Sequence, residues 1–166
     1  IKSAIEGFCL VPGRLERINA RAGFSVFVDY AHTEDALSNI LAALRPLARE
    51  RILVVFGCGG DRDKTKRPKM GRVVTERADL AIITNDNPRS ESPRSIIADI
   101  RRGIKGNNYL IIPEREKAIR KCLSLARCGD VVLVAGKGHE NYQILKNRTI
   151  HFDDKEVVKK CLKSMN

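Results

Sequence analysis

Several short segments are apolar on both faces of the strand that each would form, and this feature constrains the fold most. The clearest examples are residues 51–57 (RILVVFG) and 130–135 (DVVLVA). Such strands are typical of a parallel sheet covered by helices on both sides, whereas a strand with one solvated face alternates apolar and polar residues. The two segments therefore predict the interior of a parallel sheet.

These strand-like segments alternate with segments in which apolar residues recur at helical spacing. Strands are predicted at residues 24–30, 51–57, 80–84, 109–112, 130–135 and 148–152. One helix is predicted from an apolar face made of Leu37, Ile40, Leu41, Leu44 and Leu47. Others are predicted around residues 72–77, from Ser92–Pro93 onward, over residues 118–126, and after the capping residues Asp153 and Asp154. The alternation predicts one α/β domain over residues 1–166, an open and mainly parallel sheet with helices on both faces.

The composition is that of a globular protein, with 43% hydrophobic and 31% charged residues. No apolar run approaches the roughly 18 to 20 residues that cross a bilayer, and the first residues do not form a signal peptide. We therefore expect no membrane partner. Because the chain does not begin with Met, we also expect it to be a piece of a longer protein.

The five cysteines are scattered, and none forms a C-x-x-C pair. The sequence therefore gives no support for a zinc or redox motif, and reduced thiols in a cytoplasmic protein are expected.

The net charge of +11 suggests partners that carry negative charge. The basic residues are spread over many segments, however, mostly where amphipathic helices would have a solvated face. We therefore favour an ordinary surface together with a phosphate-bearing ligand over nucleic-acid binding. The low aromatic content of 5% also argues against a platform for single strands.

Polar residues follow four of the predicted strands, at the carboxyl ends where open α/β sheets bind ligands. They are residues 29–32 (DYAH), 57–64 (GCGGDRDK), 86–89 (DNPR) and 136–140 (GKGHE). The glycine-rich segment is not a Walker loop, and it is either a ligand loop or a plain glycine turn. The four segments predict a ligand site on one rim of the sheet.

The charged groups in these segments suit a ligand with both charges. Arg62 and Arg89 can each grip a carboxylate through a planar pair of donors, and Asp86, Asn87 and Glu140 offer acceptors for an ammonium group. The alternative for Arg89 is an ion pair with a nearby acid such as Glu91.

His32 and His139 also lie in these segments. No serine or cysteine nucleophile accompanies either histidine, so an orienting role is favoured over a catalytic one. We predict no catalytic residue and no metal ligand in this chain.

The ordered set of motifs resembles the C-terminal domain of a Mur ligase, and within that family the ligases that add 2,6-diaminopimelate. The motifs are residues 11–16 (VPGRLE), 29–33 (DYAHT), 56–63 (FGCGGDRD), 87–89 (NPR) and 135–140 (AGKGHE). The resemblance implies a Rossmann-like fold and an ATP-dependent ligase. ATP phosphorylates the terminal glutamate carboxylate of a UDP-N-acetylmuramoyl dipeptide, the amine of the amino acid attacks the acyl phosphate, and an amide forms as phosphate leaves.

The resemblance also implies roles for particular residues. The motif Asp86-Asn87-Pro88-Arg89, with Arg62, Gly136 and Glu140, corresponds to the family's site for meso-2,6-diaminopimelate. Lysine lacks the distal carboxylate of that amino acid, so Arg89 would have nothing to pair with. Arg14, Asp29 and His32 match positions that approach ATP.

The family's phosphate loop, Mg²⁺ ligands and carbamylated lysine belong to a central domain, and the UDP sugar to an N-terminal one. The resemblance therefore implies a C-terminal fragment, inactive alone, of a cytoplasmic enzyme of peptidoglycan synthesis. The sequence leaves the oligomeric state open, and a monomer is favoured. Other ligases of the superfamily, such as folylpolyglutamate synthetase, and a non-enzymatic nucleotide- or nucleic-acid-binding module remain the alternatives.

Overall fold

The structure, a computed structural model, describes residues 13–20 and 23–165. Its strands are β1 (Glu16–Ile18), β2 (Ser25–Asp29), β3 (Ile52–Phe56), β4 (Leu80–Ile83), β5 (Tyr109–Ile111), β6 (Val131–Ala135), β7 (Tyr142–Leu145) and β8 (Arg148–His151). Its helices are α1 (Glu34–Leu44), α2 (Lys66–Arg77), α3 (Pro93–Arg101), α4 (Arg115–Leu125) and α5 (Asp154–Lys163). Val11 and Pro12 of the first motif, and Cys9, lie outside the described residues.

The central sheet has six strands in the order β1-β2-β6-β3-β4-β5. All neighbours are parallel except β1, which pairs antiparallel with β2. Strand β6 therefore lies between β2 and β3, although it is the last of the three in the chain. Because the parallel strands end on the same rim, the loops that follow β2, β3, β4 and β6 meet there. The predicted α/β fold is confirmed.

Both faces of the sheet are covered, as the two-faced apolar strands predicted. In β3, Ile52, Val54 and Phe56 face the core formed with α1, α2 and α3. The alternate residues Leu53 and Val55 face the core formed with α4 and α5. All five side chains are fully buried, so the strand has no solvated face.

Two helix beginnings follow from their capping residues. The hydroxyl of Thr33 accepts a hydrogen bond from the backbone of Ala36 at the start of α1. The carboxylate of Asp153 accepts hydrogen bonds from the backbone of Lys155 and Glu156 at the start of α5. Such caps satisfy backbone donors that have no partner within the helix.

Some sequence predictions were wrong in detail. Leu47 is 58% exposed in a short 3-10 turn after α1, because Pro46 ends the α-helical face before that position is reached. Helix α2 begins at Lys66, earlier than predicted, because its first turn has few apolar residues and so gives no periodic signal. Asp154 does not cap α5; its side chain is buried against Arg115.

Strands β1 and β7 were not predicted. Strand β1 has three residues, and β7 forms an antiparallel pair with β8 outside the central sheet. Both are too short or too mixed in polarity for an alternation signal to be read. Within the described part of the chain, no helix is both long and apolar enough to span a bilayer.

Candidate ligand cleft

A cleft of about 310 Å³ opens on the rim where the loops after β2, β3, β4 and β6 meet. Its lining residues are Tyr30, His32, Gly57, Cys58, Gly59, Arg62, Lys66, Asp86, Asn87, Arg89, Gly136, Glu140 and Tyr142. The structure thus brings together residues from all four predicted segments. Of the predicted amino-acid-site residues, Pro88 alone is missing from the lining.

Asp86 provides an acidic group in this cleft. The residue is 8% exposed, and its carboxylate neither accepts a hydrogen bond nor forms an ion pair with any described residue. A carboxylate so nearly removed from water is costly unless it is paired. Its environment therefore suits an ammonium group supplied by a ligand.

Arg89 provides a cationic group nearby. Its Nη1 donates to the backbone carbonyl oxygen of Gly60 at 2.8 Å, and no described carboxylate lies within ion-pair distance of its guanidinium. The alternative pairing with Glu91 does not occur, because Glu91 binds Arg67 and Lys64 instead. Arg89 can therefore direct its remaining donors to an acidic ligand.

The backbone of Arg89 is in the left-handed region, with φ of +53°. This conformation is uncommon for a residue with a side chain, and strain of this kind is often found at functional sites. The amide of Arg89 donates to the carbonyl oxygen of Ile144 in β7 at 3.1 Å. The β7–β8 hairpin thus helps to hold the strained turn in place.

Arg62 lies on the exposed side of the cleft. Its Nη1 makes one contact, at 3.3 Å, with the carbonyl oxygen of Asp61, and no described acid forms an ion pair with it. Arg62 and Arg89 both line the cleft with donors that other charged groups leave unpaired. Lys66 also lines the cleft, and its Nζ donates to the carbonyl oxygen of His32, so the site has three cationic groups, two of them arginines that can grip a carboxylate.

Asn87 and Glu140 are joined to the buried side chain of Lys137. Asn87 Oδ1 accepts hydrogen bonds from Lys137 Nζ at 3.1 Å and from the backbone of Ile144 at 3.0 Å. Its acceptor capacity is thereby used, so the predicted acceptor role passes from Asn87 to Asp86 and Glu140. The part of Asn87 that can still reach a ligand is an amide donor.

The glycine-rich loop after β3 supports the turn that carries Arg89. The amide of Gly60 donates to the carbonyl oxygen of Asn87 at 2.9 Å, and a Cβ atom added to Gly60 would lie 1.9 Å from Pro88 O. A side chain at Gly60 is therefore excluded by the neighbouring turn. The loop packs against that turn and also lines the cleft; its contact with a ligand stays a prediction.

Of two other predicted residues, Gly136 lines the cleft and Pro88 lies behind it. Gly136 has φ of +117°, and a Cβ atom there would lie 2.6 Å from Asp86 Oδ2. Pro88 is buried, and its backbone packs on Gly60 rather than facing the ligand space. Cys58, which lines the cleft, is a neutral thiol because burial raises its pKa to about 12.

Two of the residues predicted near ATP, Arg14 and His32, belong to a second cluster around Tyr30 at the edge of the cleft. The guanidinium of Arg14 lies 5.0 Å from the ring centre of Tyr30, and His32 and His139 lie against the same ring at 4.7 and 5.2 Å. Burial, followed by the nearby Glu140 charge, raises the pKa of Tyr30. Tyr30 and His139 were not among the predicted nucleotide contacts.

Asp29 has a different environment from its predicted partners. Its oxygens accept hydrogen bonds from the backbone of Leu15 and of Ala31, each at 2.6 Å, and the residue is 7% exposed. Asp29 therefore holds the turn that carries Arg14. A role toward a nucleotide would be exerted through that turn.

Two buried arginines behind the cleft were missed because the sequence analysis treated the basic residues as surface. Arg67 donates to both oxygens of Glu91 at 2.8 and 2.9 Å and to Asp99 at 3.0 Å. Arg67 lowers the pKa of Glu91 to about 2. Arg115 pairs with Asp154. Their acidic partners are distant in sequence, so no local signal could have found them.

The described residues contain no group of three or more His, Cys, Asp or Glu side chains arranged to hold a metal ion. Among the residues that the structure describes, the cleft contains Asp86 without a partner, the cations Arg62, Arg89 and Lys66, and Glu140 held by Lys137 and Asn87. This arrangement can bind and orient a small zwitterion.

Fold and site together define the class of protein: a Rossmann-like α/β domain with a charged cleft on the carboxyl rim of its sheet. Residues 13–138 match the family model described as "Mur ligase, glutamate ligase domain". Because that match covers most of the chain, the chain belongs to the Mur ligase family.

Similar proteins agree with this assignment. The chain is 52% identical to a UDP-N-acetylmuramoyl-L-alanyl-D-glutamate–2,6-diaminopimelate ligase from Clostridium botulinum, across 99% of this chain and 35% of that protein. It is 54% identical to a ligase of the same name from Nostoc, across 98% of this chain and 33% of that protein. A solved structure of a ligase of this name superimposes with a TM-score of 0.89 at 39% identity, covering 98% of this chain and 34% of that one. The chain thus spans about a third of the length of these relatives.

Proposed function

We propose that this chain is the amino-acid-binding, C-terminal domain of an ATP-dependent ligase. The ligase adds meso-2,6-diaminopimelate to UDP-N-acetylmuramoyl-L-alanyl-D-glutamate during peptidoglycan precursor synthesis. The names of the similar ligases support the reaction, and the one-third coverage supports a protein with further domains. A cytoplasmic, monomeric enzyme with a role in cell shape and division is part of the same proposal.

The observation that carries the proposal is that Arg89 and Asp86 face one cleft and neither is paired with an opposite charge among the described residues. Meso-2,6-diaminopimelate has a distal carboxylate and a distal ammonium group, which complement these two side chains. Lysine has the ammonium but lacks the carboxylate. A site whose charged groups would stay unpaired rejects such an analogue strongly.

The domain's contribution to the reaction is positioning. In the proposed sequence, ATP phosphorylates the glutamate carboxylate, and the amine of diaminopimelate attacks that carbon. Phosphate leaves, and the amine loses its proton as the amide forms. Holding the distal centre of the amino acid directs its reactive amine toward the acyl phosphate, which makes the encounter effectively intramolecular. No side chain of this cleft is assigned the proton transfer.

ATP and Mg²⁺ are assigned mainly to other domains of the protein. Arg14 and His32 lie in the second cluster and would approach the nucleotide from this side, while Asp29 would act through the turn that it holds. The chain alone is then expected to bind the amino acid weakly and to form no amide.

The test is a ligase assay on the full-length protein, with meso-2,6-diaminopimelate and lysine compared as substrates. We expect diaminopimelate to be used at least 100-fold more efficiently, since a site built on charged hydrogen bonds discriminates by about this factor or more. The variant Arg89→Ala should lose most of that preference. Equal use of both amino acids would contradict the proposal, as would salt-sensitive binding of DNA with no response to either.

A further inference from the structure

Lys137 is a fully buried cation whose partners are two side chains of the cleft. Its side chain has no exposed area, and its Nζ lies 3.1 Å from Asn87 Oδ1 and 3.2 Å from Glu140 Oε2. The ring centre of Tyr142 lies 5.5 Å from the same nitrogen. Burying an ammonium group costs free energy unless the group is paired. Its burial here therefore suggests a role for Lys137 in stability or in the cleft.

Hydrogen bonds hold one of the two carboxylate oxygens of Glu140. Its Oε2 receives both Lys137 Nζ and Asn87 Nδ2, the latter at 2.9 Å. Its Oε1 accepts no hydrogen bond from the described residues, and Glu140 lines the cleft. One oxygen is therefore anchored, and the other remains available to a ligand.

Lys137 and the backbone of Ile144 together fix the orientation of the Asn87 amide. With Oδ1 directed at Lys137 and at the backbone of Ile144, the Nδ2 atom must face Glu140. Without the ammonium, the backbone of Ile144 would still hold the amide in this orientation, but Glu140 would keep only the neutral Asn87 Nδ2 donor on its Oε2. The three side chains therefore form one unit.

The other charges of the cleft explain why Glu140 needs to be held in place. Arg62 and Arg89 are unpaired with any described acid, and both share the cleft with Glu140. Without this anchor, the Glu140 carboxylate could form an ion pair with Arg62 or Arg89. That ion pair would leave neither group available to a ligand. Lys137 supplies a nearer, buried countercharge that competes with this collapse.

We propose that Lys137 is a positioning residue, which anchors Glu140 so that its second oxygen reads the distal ammonium of the amino-acid substrate. This inference rests on the proposed function. Lys137 acts on ammonium recognition in particular, whereas Arg62 and Arg89 act on the carboxylate. The two kinds of recognition can be separated with two analogues: lysine lacks the distal carboxylate, and 2-aminopimelate lacks the distal amine.

The test uses the full-length ligase with the variant Lys137→Met, which keeps most of the unbranched side chain and removes its charge. For meso-2,6-diaminopimelate we expect KM to rise on the order of 10- to 100-fold, the effect of losing hydrogen bonds to a charged group. For 2-aminopimelate, which has no ammonium to read, we expect little change. The preference of the wild type for diaminopimelate over 2-aminopimelate should therefore collapse.

The matched control is Arg51→Met, which removes a cation paired with Asp130 on the opposite rim of the sheet, at 2.7 Å. It should lower the melting temperature without changing the preference between the two substrates. If Lys137→Met lowered activity toward both substrates by the same factor, Lys137 would be merely structural and the inference would be overturned.

A double variant protects the test against a failure to fold. Lys137→Met combined with Glu140→Gln removes both charges of this pair, so neither is left buried without its partner, and the double variant should fold. If Lys137 acts through Glu140, the double variant should show the same substrate preference as Glu140→Gln alone. A further loss in the double variant would overturn the inference.

The wild type distinguishes the two proposals. A wild-type ligase that does not use diaminopimelate would refute the proposed function, and with it this inference. A wild type that uses diaminopimelate but does not prefer it over 2-aminopimelate would refute the inference and leave the proposed function intact.

Discussion

Arg115 and Asp154 form an ion pair in which both side chains are completely buried. Arg115 Nε and Nη2 lie 2.8 and 2.7 Å from the two oxygens of Asp154. The same guanidinium donates to the carbonyl oxygen of Ala135 at 2.9 Å and to that of Asn85 at 3.3 Å. One side chain from α4 therefore ties the start of α5 to the ends of β6 and β4, directly behind the cleft.

Arg115→Met should destabilise the protein strongly, because Asp154 would be left as a buried charge without a partner. The expected loss in the free energy of unfolding is about 3 to 5 kcal/mol, measured by urea denaturation. Arg120→Met on the same helix is the control, since Arg120 pairs with Glu116 at the surface and should change stability by less than about 1 kcal/mol. Equal losses in the two variants would show that the buried pair has no special weight.

Substitutions of Arg89 should change the stability of the protein and its substrate preference in different ways. Because its φ is +53°, Arg89→Gly should be about 0.5 to 1 kcal/mol more stable than Arg89→Ala, since glycine adopts this conformation without strain. Both variants should lose the preference for diaminopimelate over lysine. Urea denaturation and the ligase assay check the two effects separately. An alanine variant as stable as the glycine variant would mean that the turn is unstrained.

Gly136→Ala should weaken binding of diaminopimelate, because the new methyl group would lie 2.6 Å from Asp86 Oδ2 and displace that carboxylate. We expect KM for the amino acid to rise by roughly tenfold or more, the size of one lost charged hydrogen bond. KM for ATP should change little. Gly106→Ala is the control, since Gly106 is exposed and does not line the cleft. An unchanged KM in Gly136→Ala would place Asp86 outside the site.

Glu91 should make stability dependent on acid. Its pKa in the folded chain is about 2, below the ordinary value of 4.5, mainly because Arg67 hydrogen-bonds to its carboxylate. A depressed folded pKa means that the unfolded chain takes up the proton first as pH falls. The stabilisation is therefore complete above about pH 4.5 and is lost as pH falls toward 2.

Glu91→Gln removes this titration and gives the measurement. The difference in the free energy of unfolding between wild type and variant should be largest above pH 4.5 and should shrink as pH falls to 2. Urea denaturation at several pH values checks it. A difference that stays constant over this range would show that Glu91 is not held in its ionised form by Arg67.

Much of the fold could be predicted because it depends on local apolar periodicity. Residues 51–57 and 130–135 indicated strands covered on both faces, and the structure buries every side chain of β3 and β6. Once the sheet is known to be parallel, the polar segments after its strands must share a rim. The candidate site therefore followed from the order of the segments, without knowledge of any contact.

Other features could not be predicted, because they depend on partners that are distant in the chain. Nothing near Arg115 indicates that Asp154, 39 positions away, will be buried with it. Strand β1 became a strand by pairing with β2, and the Arg89 turn is held in part by Ile144 in β7.

The sequence alone predicted most of the strand–helix order, the parallel sheet and most of the cleft's charged groups, since each depends on residue type and spacing. The tertiary structure alone decided which charges pair with each other and which remain available to a ligand. Lys137 and Glu140 are three positions apart in the sequence, but Asn87, which follows β4, is brought to them only by the fold. Asn87 and Lys137 both donate to Oε2 of Glu140, so the other oxygen stays available. Electrostatic pairing depends on distance and burial, and these exist only in the folded chain.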